Sequence, residues 1–166
     1  MKSRTKARGI ALQALYEIDL TGHPPSQVLE ERLEETPMDL DLTEFIRQIT
    51  FGVLSMVEPL DNFIAQHAPE WPLDQVAVVD RNILRIALWE FAAQGNTPIK
   101  VAINEAIELA KMYGSDSTPR FVNGVLGSLA ARQNEIHQTG SAIRTIHFRI
   151  AAILARLLMV WGKSMR

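Results

Sequence analysis

"VVDRNILRIALWEFAAQG", residues 78–95, decides the fold. Val79, Ile83, Ile86 and Ala87 fall on one side at helical spacing, and Gly95 stands where a C-terminal cap belongs. Glu90 projects onto the same side. A carboxylate there could be a general acid, but no partner lies near it in sequence. It reads instead as a buried structural group that accepts hydrogen bonds, with backbone N–H groups near Thr97 as its donors.

The same spacing recurs in both directions. Upstream, Ala7, Ala11, Ala14, Leu15 and Ile18 share a helix face that "TGHPP" (21–25) ends. Pro25 starts a second helix with Val28, Leu29 and Leu33, and Asp39 or Asp41 caps a third that carries Phe45, Ile46, Ile49, Val53 and Val57. Pro59 starts a short fourth helix, and "PEWP" (69–72) reads as a hinge between halves. Downstream, Thr97-Pro98 restarts the chain. Ala102, Ile103, Ala106, Ile107 and Ala110 align before Gly114, and Ser117 or Thr118 caps a last helix with Val122, Val125, Leu126 and Leu129 inward. Gly124, Gly127 and Ala131 form a small-residue strip on that helix, and because glycine is costly inside a helix it predicts close approach of a neighbour. Alternation of β-branched or aromatic residues with polar ones is almost absent, so the expected class is all-α, two small bundles packed together.

With 166 residues, 47% of them hydrophobic, the chain can bury a real core. It has no cysteine, which excludes disulfides, thiolate metal sites and cysteine nucleophiles. The basic N-terminus lacks the apolar run of a secretory signal, so the expected compartment is the cytoplasm. No catalytic or nucleotide-binding motif occurs, and the four histidines have no ligand spacing. The expectation is therefore no enzyme, no catalytic or metal residues and no cofactor. Glu30, Glu31, Glu34 and Glu35 read as a solvated helix face, as do Asn104, Glu105 and Glu108.

"MKSRTKARGIALQALY" (1–16) places Lys2, Arg4, Lys6 and Arg8 in eight residues of a chain with 17 basic and 19 acidic residues. Arg4 and Arg8 continue the line of Ala11 and Leu15, while Lys2, Lys6, Gln13 and Tyr16 lie on or near a neighbouring face. Cations, an amide and an aromatic ring are the mixture used on single-stranded RNA, where bases stack and phosphates are held. A solvated terminus is the alternative. Neutralising all four cations is expected to leave the fold nearly untouched.

Four stretches, "RTKARGIALQALY" (4–16), "DRNILRIALWE" (80–90), "KVAINEAIELAKMYG" (100–114) and "RFVNGVL" (120–126), closely resemble the NusB family of bacterial transcription antitermination factors, in order over residues 4–133. The resemblance implies two three-helix bundles and binding to single-stranded boxA RNA of ribosomal RNA transcripts. It also implies NusE, a small-subunit ribosomal protein, as partner within the RNA polymerase antitermination complex. With it, Lys2, Arg4, Lys6, Arg8, Gln13, Tyr16 and Phe121 become the expected RNA-binding set, and Tyr16 and Asp80 the expected NusE contacts. Phe121 at a helix N-terminus suits phosphate. Plainer roles stay open: Asp80 as a favourable charge at a helix start, Phe121 as an edge-of-core ring.

The expected organisation is a NusB-like domain over 1–136, with halves of about 1–68 and 73–136, and a basic amphipathic extension over 137–166. All 19 acids lie in the first part against 12 bases, a formal −7, whereas the extension has five bases and no acid. Ile143, Ile146, Ile150, Ile153, Leu154, Leu157 and Trp161 form its apolar stripe. Arg144, Arg149 and Arg156 make a membrane span improbable. A helix over 141–162 would dock on its own domain, on a second copy as a homodimer, or on a membrane surface. A helical interaction module whose RNA surface is masked or lost is the rival reading.

Overall fold

A computed structural model describes residues 2–131 as seven α-helices, with no strand among the described residues. Helix α1 spans Ser3–Thr21, α2 Pro25–Glu35, α3 Leu40–Leu54, α4 Val57–His67, α5 Val78–Leu88, α6 Ile99–Tyr113 and α7 Thr118–Ala131. The expected signals act locally. Gly22 closes α1 at φ 68°, a left-handed conformation that glycine adopts without strain. Asp39 caps α3, its carboxylate accepting from the Leu42 N–H at 2.9 Å. Helix α4 starts at Val57, two residues before Pro59; the proline sits in the first turn, where an N–H has no intrahelical partner to lose.

Helix α1 packs on α2 and α3, α5 packs on α6 and α7, and α1 also lies against α5 and α6. Helix α5 is therefore the centre of the molecule. Sequence spacing gives it one apolar side, but every residue from Asn82 through Ala93 is buried, as befits a helix with neighbours all round. It continues into a π-helical turn, Trp89–Gln94, capped by Gly95 at φ 72°. The Trp89 ring lies against the bare backbone of α3 at Gly52, where a Cβ would collide with the indole. The wider turn re-aims Trp89 toward α3 while Glu90 faces α1, the kind of local service π-turns provide.

Glu90 is buried as expected, but its donors are side chains. The Arg8 Nε and Nη2 donate to its two oxygens at 2.8 and 2.7 Å, and the Thr97 hydroxyl donates at 3.2 Å. Arg8 Nη1 also reaches Glu105 Oε2 at 3.0 Å, and the Thr5 hydroxyl donates to that oxygen at 2.8 Å. Arg8 is only 3% exposed. Burial works against its charge, but the hydrogen bonds and attraction of Glu90 and Glu105 more than offset that, so its pKa lies above the ordinary guanidinium value. Two expectations are corrected here. Arg8 is an interior cation already committed to two carboxylates and is not a phosphate ligand. Glu105 belongs to this cluster and not to a solvated face. A second cluster ties α5 to α4 and α1: Arg85 holds Asp61 in a two-point bond at 2.7 and 2.6 Å and donates to Asp19 at 2.8 Å.

The small-residue strip on α7 finds no neighbour among the described residues. Among the described residues a Cβ at Gly124 or Gly127 would meet nothing, and Gly124, Gly127 and Ala131 are exposed. The amphipathic extension over 137–166 lies outside the described residues. Among the described residues, no helix is long and apolar enough to cross a membrane.

Arg8→Met should destabilise the fold by about 3–5 kcal/mol in denaturant titration, because Glu90 is left buried without its cation. Combining it with Glu90→Met should recover much of that loss, since the fully buried carboxylate is gone and only the partly exposed Glu105 has lost its cation.

Candidate nucleic-acid interface

The first turns of α1 present three exposed cations. Lys2, Arg4 and Lys6 have no acidic partner among the described residues. The Arg4 guanidinium rests 4.8 Å from the Phe45 ring centroid, a cation–π contact that limits its motion and leaves its charge uncancelled. Further along α1, half-buried Gln13 donates from Nε2 to the Tyr113 hydroxyl at 3.2 Å. Tyr16 is 38% exposed, a large area for an aromatic ring.

Two grooves flank the start of α5. One, of about 530 Å³, is lined by Leu12, Gln13, Tyr16, Leu20, Val79 and Tyr113, with Glu17 and Arg32 also facing it. Those two pair at 2.6 Å, and the Arg32 guanidinium holds the Glu17 carboxyl below its usual range. The other groove, of about 340 Å³, is lined by residues including Trp71, Pro72, Gln75, Asp80, Ser117 and Phe121. Consecutive residues Val79 and Asp80 thus face different grooves, and the first turn of α5 is the ridge between them. Tyr16 and Asp80 stand on either side of it.

Phe121 lies one turn into α7. Its N–H bonds the Ser117 carbonyl at 3.0 Å, so it has a ring to offer a ligand and not a free amide. That ring meets Trp71 edge to face, with centroids 5.8 Å apart at 81°. Trp71 is the member of this groove that the sequence reading missed; the signal was an aromatic held between two prolines in "PEWP". Asp80 accepts from the buried Thr118 hydroxyl at 3.0 Å. Partial burial pushes its carboxyl up from the ordinary value, and the Thr118 bond offsets only part of that. Of the expected set, Arg4, Lys6, Gln13 and Tyr16 share α1 with Lys2 at its N-cap, Asp80 and Phe121 share the second groove, and Arg8 is withdrawn into the core. Among the described residues no group of His, Asp and Glu side chains is arranged to hold a metal.

Comparison with known proteins gives one consistent result. A model of the NusB family matches residues 5–131. The chain is 48% identical to the transcription antitermination protein NusB of Roseiflexus castenholzii over 134 residues, 80% of this chain and 94% of that protein. It is 44% identical to the NusB of Bacillus subtilis over 129 residues, 78% of this chain and 95% of that protein. Among solved structures it is similar to a crystal structure of antitermination factors NusB and NusE in complex with dsRNA, with TM-score 0.70, 27% identity and coverage of 83% and 98%. It is also similar to T. maritima NusB, with TM-score 0.68, 34% identity and coverage of 81% and 90%.

The raised pKa of Asp80 has a stability consequence with a definite sign. Because the folded value lies above the unfolded one, the ionised carboxylate weakens the fold at neutral pH, and the penalty fades as pH falls through the folded pKa. Asp80→Asn, which keeps an acceptor for Thr118, should therefore melt at or above the parent temperature at neutral pH. The difference should close in acid when both are followed by circular dichroism.

Proposed function

The chain belongs to the NusB family of non-enzymatic, RNA-binding transcription antitermination factors, and from that premise we propose that it binds single-stranded boxA RNA of ribosomal RNA transcripts together with NusE. The observation that carries the RNA side is the set of exposed cations Lys2, Arg4 and Lys6, none paired with an acid among the described residues, on the helix that also carries Gln13 and Tyr16. The cations hold phosphates, the Gln13 amide meets a base edge, and the Phe121 ring gives a base a surface to stack on. NusE takes the ridge at the start of α5, through Tyr16 and Asp80. The two surfaces reinforce one another: once protein or RNA is held, the other site binds at a raised effective concentration. The joint complex then acts with RNA polymerase in the cytoplasm. The likeness to a NusB bound with NusE and dsRNA supports both partner classes.

Neutralising Lys2, Arg4 and Lys6 to glutamine should weaken boxA binding and flatten its salt dependence, by a slope of about 0.7 for each phosphate no longer held. The melting temperature should hold, since each side chain is exposed and surface changes of this kind stay within about 0.5 kcal/mol. Unchanged affinity and slope would remove the phosphate seat from α1.

Asp80→Lys should impair association with purified NusE while boxA binding by the isolated protein is retained, when both are measured by calorimetry. Normal NusE affinity in the folded variant would return Asp80 to a local role beside Thr118.

A further inference from the structure

We propose that Tyr113 is a positioning residue for RNA recognition, holding the Gln13 side-chain amide in the pose in which it meets a base; this rests on the RNA reading above. Tyr113 ends α6, and its half-buried ring lies across α1 at Gly9. Gly9 sits on the α1 face shared by Lys2, Lys6, Gln13 and Tyr16, between the lysines and the amide. A Cβ at Gly9 would collide with the Tyr113 hydroxyl oxygen and stand 3.1 Å from ring atoms Cε2 and Cζ, so glycine here lets the ring keep this position. One helical turn further on, the same hydroxyl meets Gln13 Nε2 at 3.2 Å.

Among the described residues Tyr113 is the only hydrogen-bond partner of the Gln13 side chain. A free glutamine samples many rotamers and gives up that freedom on binding, whereas one anchored at its inner end has already given up most of it. A phenol both donates and accepts, so it holds either end of the amide and leaves the opposite end outward for a base edge. Gly9, Gln13 and Tyr113 therefore work as one unit: the glycine admits the ring, the ring delivers the hydroxyl, and the hydroxyl orients the amide. A tyrosine that served only to fill the seam between α1 and α6 would not need its hydroxyl.

The test is a double-mutant cycle read as affinity for fluorescently labelled single-stranded boxA RNA, with a scrambled RNA as control. Tyr113→Phe and Gln13→Ala should each weaken binding about three- to tenfold. The double variant should bind no more weakly than Gln13→Ala alone, because the hydroxyl acts only through the amide. The salt slope and melting temperature should match the parent, since every phosphate is still held and the ring stays in place. Gly9→Ala provides a second route: it favours the helix, so stability holds, yet it displaces the hydroxyl and should give the affinity of Tyr113→Phe. Parent-like affinity in Tyr113→Phe, or effects that simply multiply in the double variant, would overturn the positioning role. If that happened while Gln13→Ala still weakened binding, the RNA reading would stand alone. A parent protein that does not distinguish boxA from scrambled RNA would instead sink the RNA reading and this proposal with it.

Discussion

The Arg8 guanidinium, enclosed by Glu90 of the π-helical turn and Glu105 of α6, is the constraint on which the placement of α1 depends. A buried charge must face its counter-charge, and three directional hydrogen bonds to two carboxylates leave α1 one rotation and one height along its axis. The net stabilising worth of such a cluster is small beside its specifying effect, because desolvating the ions consumes most of the attraction. Its consequence lies outside the core. With Arg8 inward, the helix period turns Lys2, Lys6, Gln13 and Tyr16 to a neighbouring side, where the candidate interface lies.

The helices themselves were readable from sequence because each is mainly a matter of local spacing and punctuation. Gly22, Asp39 and Gly95 close or open their helices as their chemistry requires. What sequence could not supply was the number of neighbours around an element. Helix α5 shows one apolar side in projection, yet Asn82 and Arg85 on its polar side are buried as well, satisfied by Asp19 and Asp61 from α1 and α4. Only the assembled fold brings those carboxylates within reach. The π-turn is hidden for the same reason: it answers to Gly52 on α3 and Arg8 on α1, both remote in sequence.

The candidate site was legible to a similar depth. Lys2, Lys6, Gln13 and Tyr16 declare themselves as one face by helical spacing, with Arg4 beside them on the Arg8 line. Arg8 looked like a fourth member because sequence shows charge and not its partner; Glu90 stands 82 positions away. Trp71 and Tyr113 escaped notice because each acquires its meaning from a residue on another element, Phe121 in one case and Gly9 with Gln13 in the other. Glycine shows the same dependence on remote neighbours. Gly9 is where the Tyr113 ring of α6 lies against α1, whereas a Cβ at Gly124 or Gly127, the pair whose spacing suggested a close neighbour, meets nothing among the described residues.

A slightly acidic chain is an odd vehicle for RNA until its charges are followed to their partners. The net charge of −2 counts every acid equally, but the acids are not equally visible to a phosphate. Glu90 and Glu105 are met by Arg8, Asp19 and Asp61 by Arg85, and Glu17 by Arg32. Each of those carboxylates is opposed at close range, which weakens its field at a distance, although the single Arg8 against Glu90 and Glu105 leaves that cluster one negative charge in excess. Lys2, Arg4 and Lys6 have no such opposition among the described residues, and at physiological salt a phosphate feels chiefly the charges within a screening length of about 8 Å. The attraction felt at the start of α1 is therefore set by which cations the fold leaves unpaired. By committing Arg8 to Glu90 and Glu105, the core engages both carboxylates with its own cation and leaves Lys2, Arg4 and Lys6 as the unpaired charges that would hold phosphates.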